Sequence, residues 1–335
     1  MSRLLRRGGP ATVVPVVLVA VLLAVALAGC GLISSSGTLR SAHLPDGDKP
    51  LDGAAITVTS KAFTEQVVLG KIAATYLAAA GADIKDMTGA PGAASSRQAQ
   101  LRGETDLQWE YTGTGWVVYH ERTDPISDPT ELWNKVRDIE AAENDLVWLP
   151  PSSLNNTYAF AASQETANRL GVTTLSDVAA LPVDQRTFCI DDEFFSRSDG
   201  FLPMLEAYGI PFDTADGVPQ SNVTRMDSGV IYTATAKGSP CNFGMVFSTD
   251  GRIPNLDLKV LVDDRKYFLP YSGSVVVRKP VLDEYPQIAE LMETVSSKLN
   301  DDVMRDLNGR VDIEGEDPAD VAFDWLVSEK LIVPN

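Results

Sequence analysis

The chain has 335 residues, 44% of them hydrophobic, and a formal net charge of −18. A chain of this length and composition can build two ordinary domains, or one large one, around a buried core. A surface this acidic repels nucleic acid and anionic lipid headgroups, so neither is expected as a partner. The sequence holds two histidines, His43 and His120, which argues against a histidine-based catalytic triad and a multi-histidine metal site.

The N-terminal segment follows the pattern of a secretory signal peptide. Arginines within residues 3–7 precede an apolar run from Ala11 to Ala28, and small residues lead directly to Cys30. A cysteine here resembles a bacterial lipoprotein box, in which the thiol is acylated and becomes the new N-terminus. We therefore expect residues 1–29 to be removed and Cys30 to anchor the chain by lipid at the outer face of the cytoplasmic membrane, periplasmic or cell-surface. The alternative is an uncleaved transmembrane anchor, because this run lies at the lower limit of a membrane span.

The segment that follows the cysteine has the composition of a linker. Residues Gly31 to Gly53 are rich in Ser, Gly, Pro and Asp and show no apolar periodicity. Such a composition is typical of flexible chain. The sequence therefore predicts a lipidated flexible stalk over residues 30–53 and an ordered domain from residue 54.

Strands and helices alternate along the rest of the chain. Ile56–Thr59 alternates as a strand does, and the apolar positions after Thr64 follow the period of a helix as far as Gly81. Asp128 followed by proline is typical of a helix N-terminus. Further strands are predicted near residues 105–108, 146–149, 186–190 and 243–247, and further helices near residues 95–102, 201–208, 228–237, 281–299 and 318–331. This alternation favours an α/β architecture with largely parallel sheets.

Two cysteines remain once Cys30 is assigned to lipid. Cys189 and Cys241 form an even pair in a chain that we expect to work in an oxidising compartment. A disulfide between them is the favoured interpretation, and two buried free thiols are the alternative.

The sequence lacks the common signatures of catalysis. It contains no GxSxG nucleophile elbow, no Walker loop and no GxGxxG motif. Three acidic pairs occur, at Asp191-Asp192, Asp263-Asp264 and Asp301-Asp302, but in so acidic a chain they are interpreted as solvated loop ends without calcium-loop spacing. We therefore expect no enzymatic activity, no cofactor and no metal.

Nine short motifs, in order along the chain, carry a resemblance to a known family. The chain resembles the ABC-transporter substrate-binding lipoproteins for glycine betaine, proline betaine, choline and related osmolytes (ProX/OpuAC-like). The resemblance covers essentially Ile56 to Leu331. Its motifs are Ser60–Gln66, Arg97–Ala99, Gly103–Leu107, Glu110–Thr114, Asn155–Ala159, Glu193–Gly200, Ser248–Ile253, Asp263-Asp264 with Pro270-Tyr271, and Met304 with Leu307-Asn308.

The resemblance implies a two-lobed, type II periplasmic-binding-protein-like fold. Two segments of the chain would cross between the lobes, and the ligand would lie in the cleft. One lobe would comprise residues 54–157 plus 262–335 and the other residues 158–261. The hinges would lie near Tyr158 and Val262.

The resemblance also implies an aromatic cage for a quaternary ammonium. Such a cation has no N–H to donate, and aromatic faces suit its diffuse charge, at about 0.5–2 kcal/mol for each well-placed ring. The positions that match the family's cage are Tyr111, Tyr158, Phe247 and Tyr271. Phe247 departs from the family pattern, which has tyrosine there, and keeps the ring without the hydroxyl. The alternative for each of these rings is ordinary packing.

A second set of family positions would hold a carboxylate. Lys61, Thr114 and Arg197 match the residues that grip the carboxylate of a betaine, and Asn156 is a further candidate for the lining of the site. The alternatives are surface charge for either cation and, for Arg197, a salt bridge with Asp199 or Glu193.

The function implied is that of the extracytoplasmic solute-binding component of an osmolyte ABC importer. Its partners would be a quaternary-amine osmolyte, a membrane permease with its cytoplasmic ATPase, and the membrane through the lipid, and the protein would be a monomer. Two alternatives stay open at this point. One is a choline-selective receptor, which would use the cage but offer no carboxylate to the cations. The other is a surface-tethered enzyme on the same scaffold.

Overall fold

Two five-stranded β-sheets with packed helices form the framework of the protein. This computed structural model describes residues 37–122, 124 and 126–335, so the predicted signal peptide and Cys30 lie outside the described residues. The strands are β1 Ala42–His43, β2 Ala55–Lys61, β3 Asp83–Ala90, β4 Leu107–Tyr111, β5 Leu146–Trp148, β6 Tyr158–Ser163, β7 Phe188–Ile190, β8 Val223–Arg225, β9 Phe243–Phe247, β10 Leu258–Val260, β11 Gly273–Arg278 and β12 Val333–Pro334.

Thirteen α-helices are labelled here over the described residues. They are α1 Thr64–Ala79, α2 Gly92–Leu101, α3 Pro129–Glu143, α4 Gln164–Leu170, α5 Leu175–Ala179, α6 Asp192–Ser196, α7 Phe201–Ala207, α8 Ser228–Lys237, α9 Arg252–Asn255, α10 Lys279–Glu284, α11 Gln287–Ser296, α12 Asp301–Asp312 and α13 Pro318–Ser328. The bounds of α8 and β9 match those predicted from the sequence.

The first sheet has the spatial order β3–β2–β4–β11–β5. Strand β2 runs parallel to β3 and β4, whereas β11 runs antiparallel to β4 and β5. The long helix α1 packs on β2 and β3 through fully buried side chains such as Val68 and Ile72. Because β2 ends directly before α1, the end of this strand and the first turn of the helix lie together at one edge of the sheet.

The second sheet has the spatial order β10–β6–β9–β7–β8. Strand β7 runs parallel to β8 and β9, whereas β6 runs antiparallel to β9 and β10. The antiparallel register pairs Tyr158, the first residue of β6, with Phe247, the last residue of β9. Phe160, Phe188 and Phe243 fill the core beside this sheet with fully buried rings.

The chain crosses between the two sheets twice, after β5 and again after β10. Strand β11, near the C-terminal end, therefore completes the first sheet between β4 and β5. The α/β fold class predicted from the sequence is confirmed, although each sheet is mixed rather than largely parallel. The lobe bounds at residues 157 and 262 stay a prediction.

The prediction of a flexible stalk is wrong for the part of it that the structure describes. Strand β1 pairs antiparallel with β12 at the C-terminal end of the chain, and Leu51 is fully buried. The guanidinium of Arg40 lies 3.9 Å from the ring centroid of Phe323 and 3.1 Å from Asp324. These contacts join residues distant in sequence, so the local composition of the segment does not reveal them.

The C-terminal half of the predicted helix over residues 281–299 is a separate element. Helix α10 ends at Glu284 and α11 begins after Pro286, which cannot donate the backbone hydrogen bond of a continuous helix.

In the part of the chain that the structure describes, no helix has both the length and the apolar character needed to cross a membrane.

Candidate ligand-binding site

A cavity of about 260 Å³ lies between the two sheets and is lined by fourteen residues. All eight residues that the sequence singled out as ligand contacts belong to this lining. Five of these eight lie at the end of a strand or in the first crossing between the sheets, namely Lys61, Tyr111, Asn156, Tyr158 and Phe247. The lining consists of Lys61, Ala62, Phe63, Gly92, Ala93, Tyr111, Thr114, Val118, Asn156, Tyr158, Glu193, Arg197, Phe247 and Tyr271.

Aromatic rings form two groups in the cavity wall. In the first group the ring of Tyr158 lies 5.2 Å from that of Phe247 and 5.9 Å from that of Tyr271, in edge-to-face contact with the latter. In the second group Tyr111 stacks on Phe63, with ring centroids 6.3 Å apart and an interplanar angle of 22°. Tyr158 and Phe247 lie side by side because they are register partners in β6 and β9. Rings of both groups line the cavity, where they can contact a cation.

A glycine allows Tyr271 to reach its place in the wall. Gly113 belongs to a short helical turn, Thr112–Thr114, that directly follows β4. A Cβ atom at residue 113 would lie 2.7 Å from the ring of Tyr271, far inside van der Waals contact. The side chain of Thr114, on the same turn, is mostly buried and lines the cavity.

Lys61 is buried and paired with a carboxylate. Its Nζ lies 2.5 Å from Oε1 of Glu110 and 5.1 Å from the ring centroid of Tyr111. Glu110 also accepts hydrogen bonds from the backbone N–H of Tyr111 at 2.8 Å and from the hydroxyl of Tyr119 at 2.5 Å. Lys61 is 6% exposed, so the alternative of a surface charge is wrong for this residue. Its contact with a ligand carboxylate stays a prediction.

Arg197 makes the salt bridge that the sequence left open as an alternative. Its Nε and Nη2 donate to the two carboxylate oxygens of Asp199 at 2.7 and 2.8 Å, and Nη2 also donates to the hydroxyl of Tyr271 at 2.8 Å. Burial disfavours the charged form of Arg197, but these contacts outweigh it and hold its pKa above the usual value. Nη1 has a longer contact, 3.5 Å, with the exposed carboxylate of Glu193.

Asn156 is hydrogen-bonded to a buried acid, Glu65, which the sequence analysis did not single out. The side-chain amide of Asn156 donates to Oε1 of Glu65 at 2.8 Å, and the hydroxyl of Tyr111 donates to the same oxygen at 2.6 Å. Burial raises the pKa of Glu65 although its hydrogen bonds act in the opposite direction. Burial likewise holds the pKa of the Tyr111 hydroxyl well above its usual range.

The sequence analysis did not single out six residues of the lining or the neighbouring acid Glu65; the six are Ala62, Phe63, Gly92, Ala93, Val118 and Glu193. Three of these seven carry an aromatic ring or a charge, and each of the three lies inside a motif that carried the resemblance. Phe63 and Glu65 belong to the motif Ser60–Gln66, and Glu193 begins the motif Glu193–Gly200. Phe63 could have been predicted, because it is an aromatic residue two positions after Lys61, which the resemblance placed in the site. No local signal marks Glu65, because its four hydrogen-bond donors are distant in sequence.

The two cysteines lie together beside the second sheet, and neither belongs to the cavity lining. The structure joins Cys189 of β7 and Cys241, which precedes β9, in a disulfide with a Cα–Cα distance of 5.7 Å. This distance lies in the ordinary range for such a bond. Both cysteines are almost fully buried.

The comparison with protein families identifies the chain. Residues 54–328 match the model of the substrate-binding domain of ABC-type glycine betaine transport systems. The chain belongs to this family. It is therefore a substrate-binding component of an ABC importer that works outside the cytoplasm, and it is not an enzyme. The family resemblance stated from the sequence motifs is confirmed.

Individual relatives agree with the family. A glycine-betaine-binding protein of Pseudomonas aeruginosa is 38% identical over 285 residues, which cover 83% of this chain and 88% of that protein. An ergothioneine transport permease and binding protein, EgtU, of Helicobacter pylori is 33% identical and also covers 83% of this chain, which spans 47% of its length. The solved structure of apo YehZ from Escherichia coli superposes with a TM-score of 0.68 at 28% identity, covering 83% of this chain and 99% of that one. The predicted type II periplasmic-binding-protein fold is confirmed.

Proposed function

We propose that this chain binds glycine betaine, or a related quaternary amine, in the cavity between the sheets and delivers it to the permease. The observation that carries the proposal is that five aromatic side chains line one cavity. They are Phe63, Tyr111, Tyr158, Phe247 and Tyr271. A methylated ammonium cannot donate hydrogen bonds, so ring faces are the protein groups that suit it. Relatives named for glycine betaine and carnitine support this ligand class.

The carboxylate of a betaine would lie beside Arg197, whose guanidinium carbon is 5.3 Å from the ring centroid of Tyr158. Three of the five N–H groups of Arg197 are directed at Asp199 and Tyr271, and Nη1 has only the long contact with Glu193. Nη1 can therefore donate to a ligand oxygen, and Thr114 lines the same cavity. A charge-assisted bond of this kind contributes about 1.5–3 kcal/mol when water is excluded.

The charge pairing of the site favours one second candidate, a choline-selective receptor. Both cations that line the cavity already have a carboxylate partner, Glu110 for Lys61 and Asp199 for Arg197. A ligand that carries only the ammonium needs no unpaired cation. Choline would thus use the same rings and leave both ion pairs undisturbed.

We also propose the arrangement that would let the protein work in transport. Residues 54–157 plus 262–335 would form one lobe and residues 158–261 the other, and the lobes would close on the ligand as a monomer. Acylated Cys30 would hold the domain at the membrane beside the permease. The family membership supports this arrangement, and the cysteine itself lies outside the described residues.

A thermal-shift and calorimetric screen tests the ligand class. The mature chain would be titrated with glycine betaine, choline, carnitine and ergothioneine, the last two because relatives are named for them. A ligand that binds only the folded state raises the unfolding temperature by mass action. We expect glycine betaine to give saturable binding with such a shift. Absence of binding to every quaternary amine would overturn the proposal, and binding of choline alone would favour the second candidate.

A further inference from the structure

Glu65 is a buried carboxylate held by four neutral donors. It lies in the first turn of α1 and is 3% exposed. Oε1 accepts from the hydroxyl of Tyr111 at 2.6 Å and from Nδ2 of Asn156 at 2.8 Å. Oε2 accepts from the hydroxyl of Thr249 at 2.5 Å and from Nδ2 of Asn308 at 3.1 Å. The four donors lie in the first sheet, in the first crossing, in the loop after β9 and in helix α12. The carboxylate therefore joins elements that are distant in sequence.

The charged groups near Glu65 have hydrogen-bond partners other than Glu65. Asp250, in the loop after β9, accepts two hydrogen bonds from Arg252, the first residue of α9, at 2.8 and 2.5 Å. On α12, Asp312 accepts from the hydroxyl of Thr64 at 2.6 Å. Lys61, whose Nζ lies 5.1 Å from the ring centroid of Tyr111, is paired with Glu110.

Three further acids, Asp191, Glu193 and Asp199, belong to the segment around α6. Asp199 is paired with Arg197, Glu193 is exposed, and the half-buried Asp191 caps helix α6. Among the described residues, none of the ion pairs involves Glu65, and all four of its hydrogen-bond partners are neutral. When Glu65 is ionised, its carboxylate carries a charge for which the neighbouring side chains supply no counter-ion.

Glu65 accepts a hydrogen bond from the hydroxyl of Tyr111, so its charge can act on the ring of that residue. A phenol that donates to a carboxylate gains electron density on its ring, and a ring with more electron density attracts a cation more strongly. Tyr111 lines the cavity, so a methylated ammonium bound there can lie against this ring. We propose that Glu65 is a positioning residue of the binding site, which acts through the Tyr111 ring as the counter-ion of the ligand's ammonium group. This inference rests on the proposed function, because it needs a cationic ligand in the cavity.

The proposal predicts linkage between ligand binding and a proton on Glu65. Burial raises the pKa of Glu65, so this group gains a proton at a higher pH than an exposed glutamate does. A cation in front of Tyr111 favours the ionised form and lowers that pKa. The ligand therefore binds best above the pKa of Glu65, releases protons when it binds near that pKa, and binds more weakly as the pH falls below it. The quaternary ammonium itself does not titrate.

Calorimetry across pH, in buffers that differ in ionisation enthalpy, measures this proton release. Glycine betaine and choline serve as probes with the mature wild-type chain, with Glu65→Gln, and with the control Asp312→Asn, which removes an exposed acid near Glu65. We expect Glu65→Gln to bind both probes about tenfold more weakly at neutral pH and to lose the proton release, since a charge near a ligand ion contributes on this scale. Asp312→Asn should keep the wild-type affinity and proton release.

A second variant keeps the test decisive if Glu65→Gln does not fold. Tyr111→Phe retains the ring and removes the hydroxyl that donates to Glu65, so it should weaken both probes several-fold and reduce the proton release. Wild-type protein that binds a probe with no proton release at any pH would overturn the inference, as would unchanged affinity and proton release in Glu65→Gln. If neither probe binds wild type, the proposed function fails and this inference with it.

Discussion

Arg197 and Tyr271 meet across the cavity, with Nη2 of Arg197 donating to the hydroxyl of Tyr271 at 2.8 Å. The same hydroxyl donates to Asp199 at 2.7 Å. Arg197 follows α6 beside the second sheet, whereas Tyr271 precedes β11 of the first. The hydrogen bonds among Arg197, Tyr271 and Asp199 therefore join elements of the two sheets next to the proposed ligand. Their loss should lower the affinity for ligand.

Tyr271→Phe should weaken ligand binding without removing a ring from the cage. The substitution deletes two hydrogen bonds between the sides of the cleft, and we expect a loss of about 1–2 kcal/mol, or roughly five- to thirtyfold in affinity, for glycine betaine. Calorimetry measures the affinity. Tyr285→Phe is the matched control, because Tyr285 lies outside the cavity lining. Equal affinities for Tyr271→Phe and wild type would show that the hydroxyl of Tyr271 plays no part in ligand binding.

Lys61→Met should destabilise the fold. The side chain of Glu110 is 1% exposed, and the substitution leaves its charge buried without a cation. Breaking a buried ion pair in this way costs about 3–5 kcal/mol, which denaturant unfolding measures. The double variant Lys61→Met with Glu110→Gln should recover much of that loss. Lys135→Met, which breaks an exposed pair with Glu131, should change stability by less than about 1 kcal/mol. A small effect for Lys61→Met, equal to that of Lys135→Met, would contradict the account.

The disulfide should stabilise the fold without contributing to binding. Cys189 and Cys241 are 52 residues apart in sequence, and cross-linking a loop of this length stabilises by about 4 kcal/mol in the chain-entropy model. Reduction, or replacement of both cysteines by alanine, should lower the free energy of unfolding by up to this amount. The affinity for ligand should not change, because neither cysteine lines the cavity. Rapid alkylation of both thiols in the native, unreduced protein would show that the bond does not form.

Gly113→Ala should impair binding through the position of Tyr271. The added Cβ would lie 2.7 Å from the Tyr271 ring, so the ring or the turn must move. Overpacking of this kind costs about 1–3 kcal/mol of stability and displaces one ring of the cage. At Gly309 the nearest atom to an added Cβ is 3.7 Å away, so Gly309→Ala is the control and should be tolerated. Full ligand affinity in Gly113→Ala would be inconsistent with Tyr271 as a cage residue.

Local sequence patterns predicted elements whose cause is local. Helix α8 and strand β9 have the bounds predicted from the sequence. The same reasoning failed where distant residues decide the structure. Leu51 and Arg40 lie in a segment with the composition of a linker, yet they contact the body of the domain, and Arg40 reaches Phe323 near the other end of the chain.

The candidate site divides in the same manner. The family resemblance named eight side chains, and the structure places all of them around one cavity. It gave no sign that Glu110 neutralises Lys61 or that Glu65 lies beneath Tyr111. Those pairings join residues on different strands and helices, so their geometry follows from the assembled fold and not from the spacing within a motif.

The measurement that tests the central claim most directly is calorimetry of glycine betaine and choline with wild type, Tyr111→Ala and Arg197→Ala. Tyr111→Ala should weaken both ligands, because both present the same methylated cation to the ring. Arg197→Ala should weaken glycine betaine by about 2 kcal/mol, or roughly thirtyfold, and leave choline nearly unchanged, since only the betaine has a carboxylate for the guanidinium. A wild-type chain that binds choline tightly and glycine betaine not at all, or that binds neither, would contradict the account.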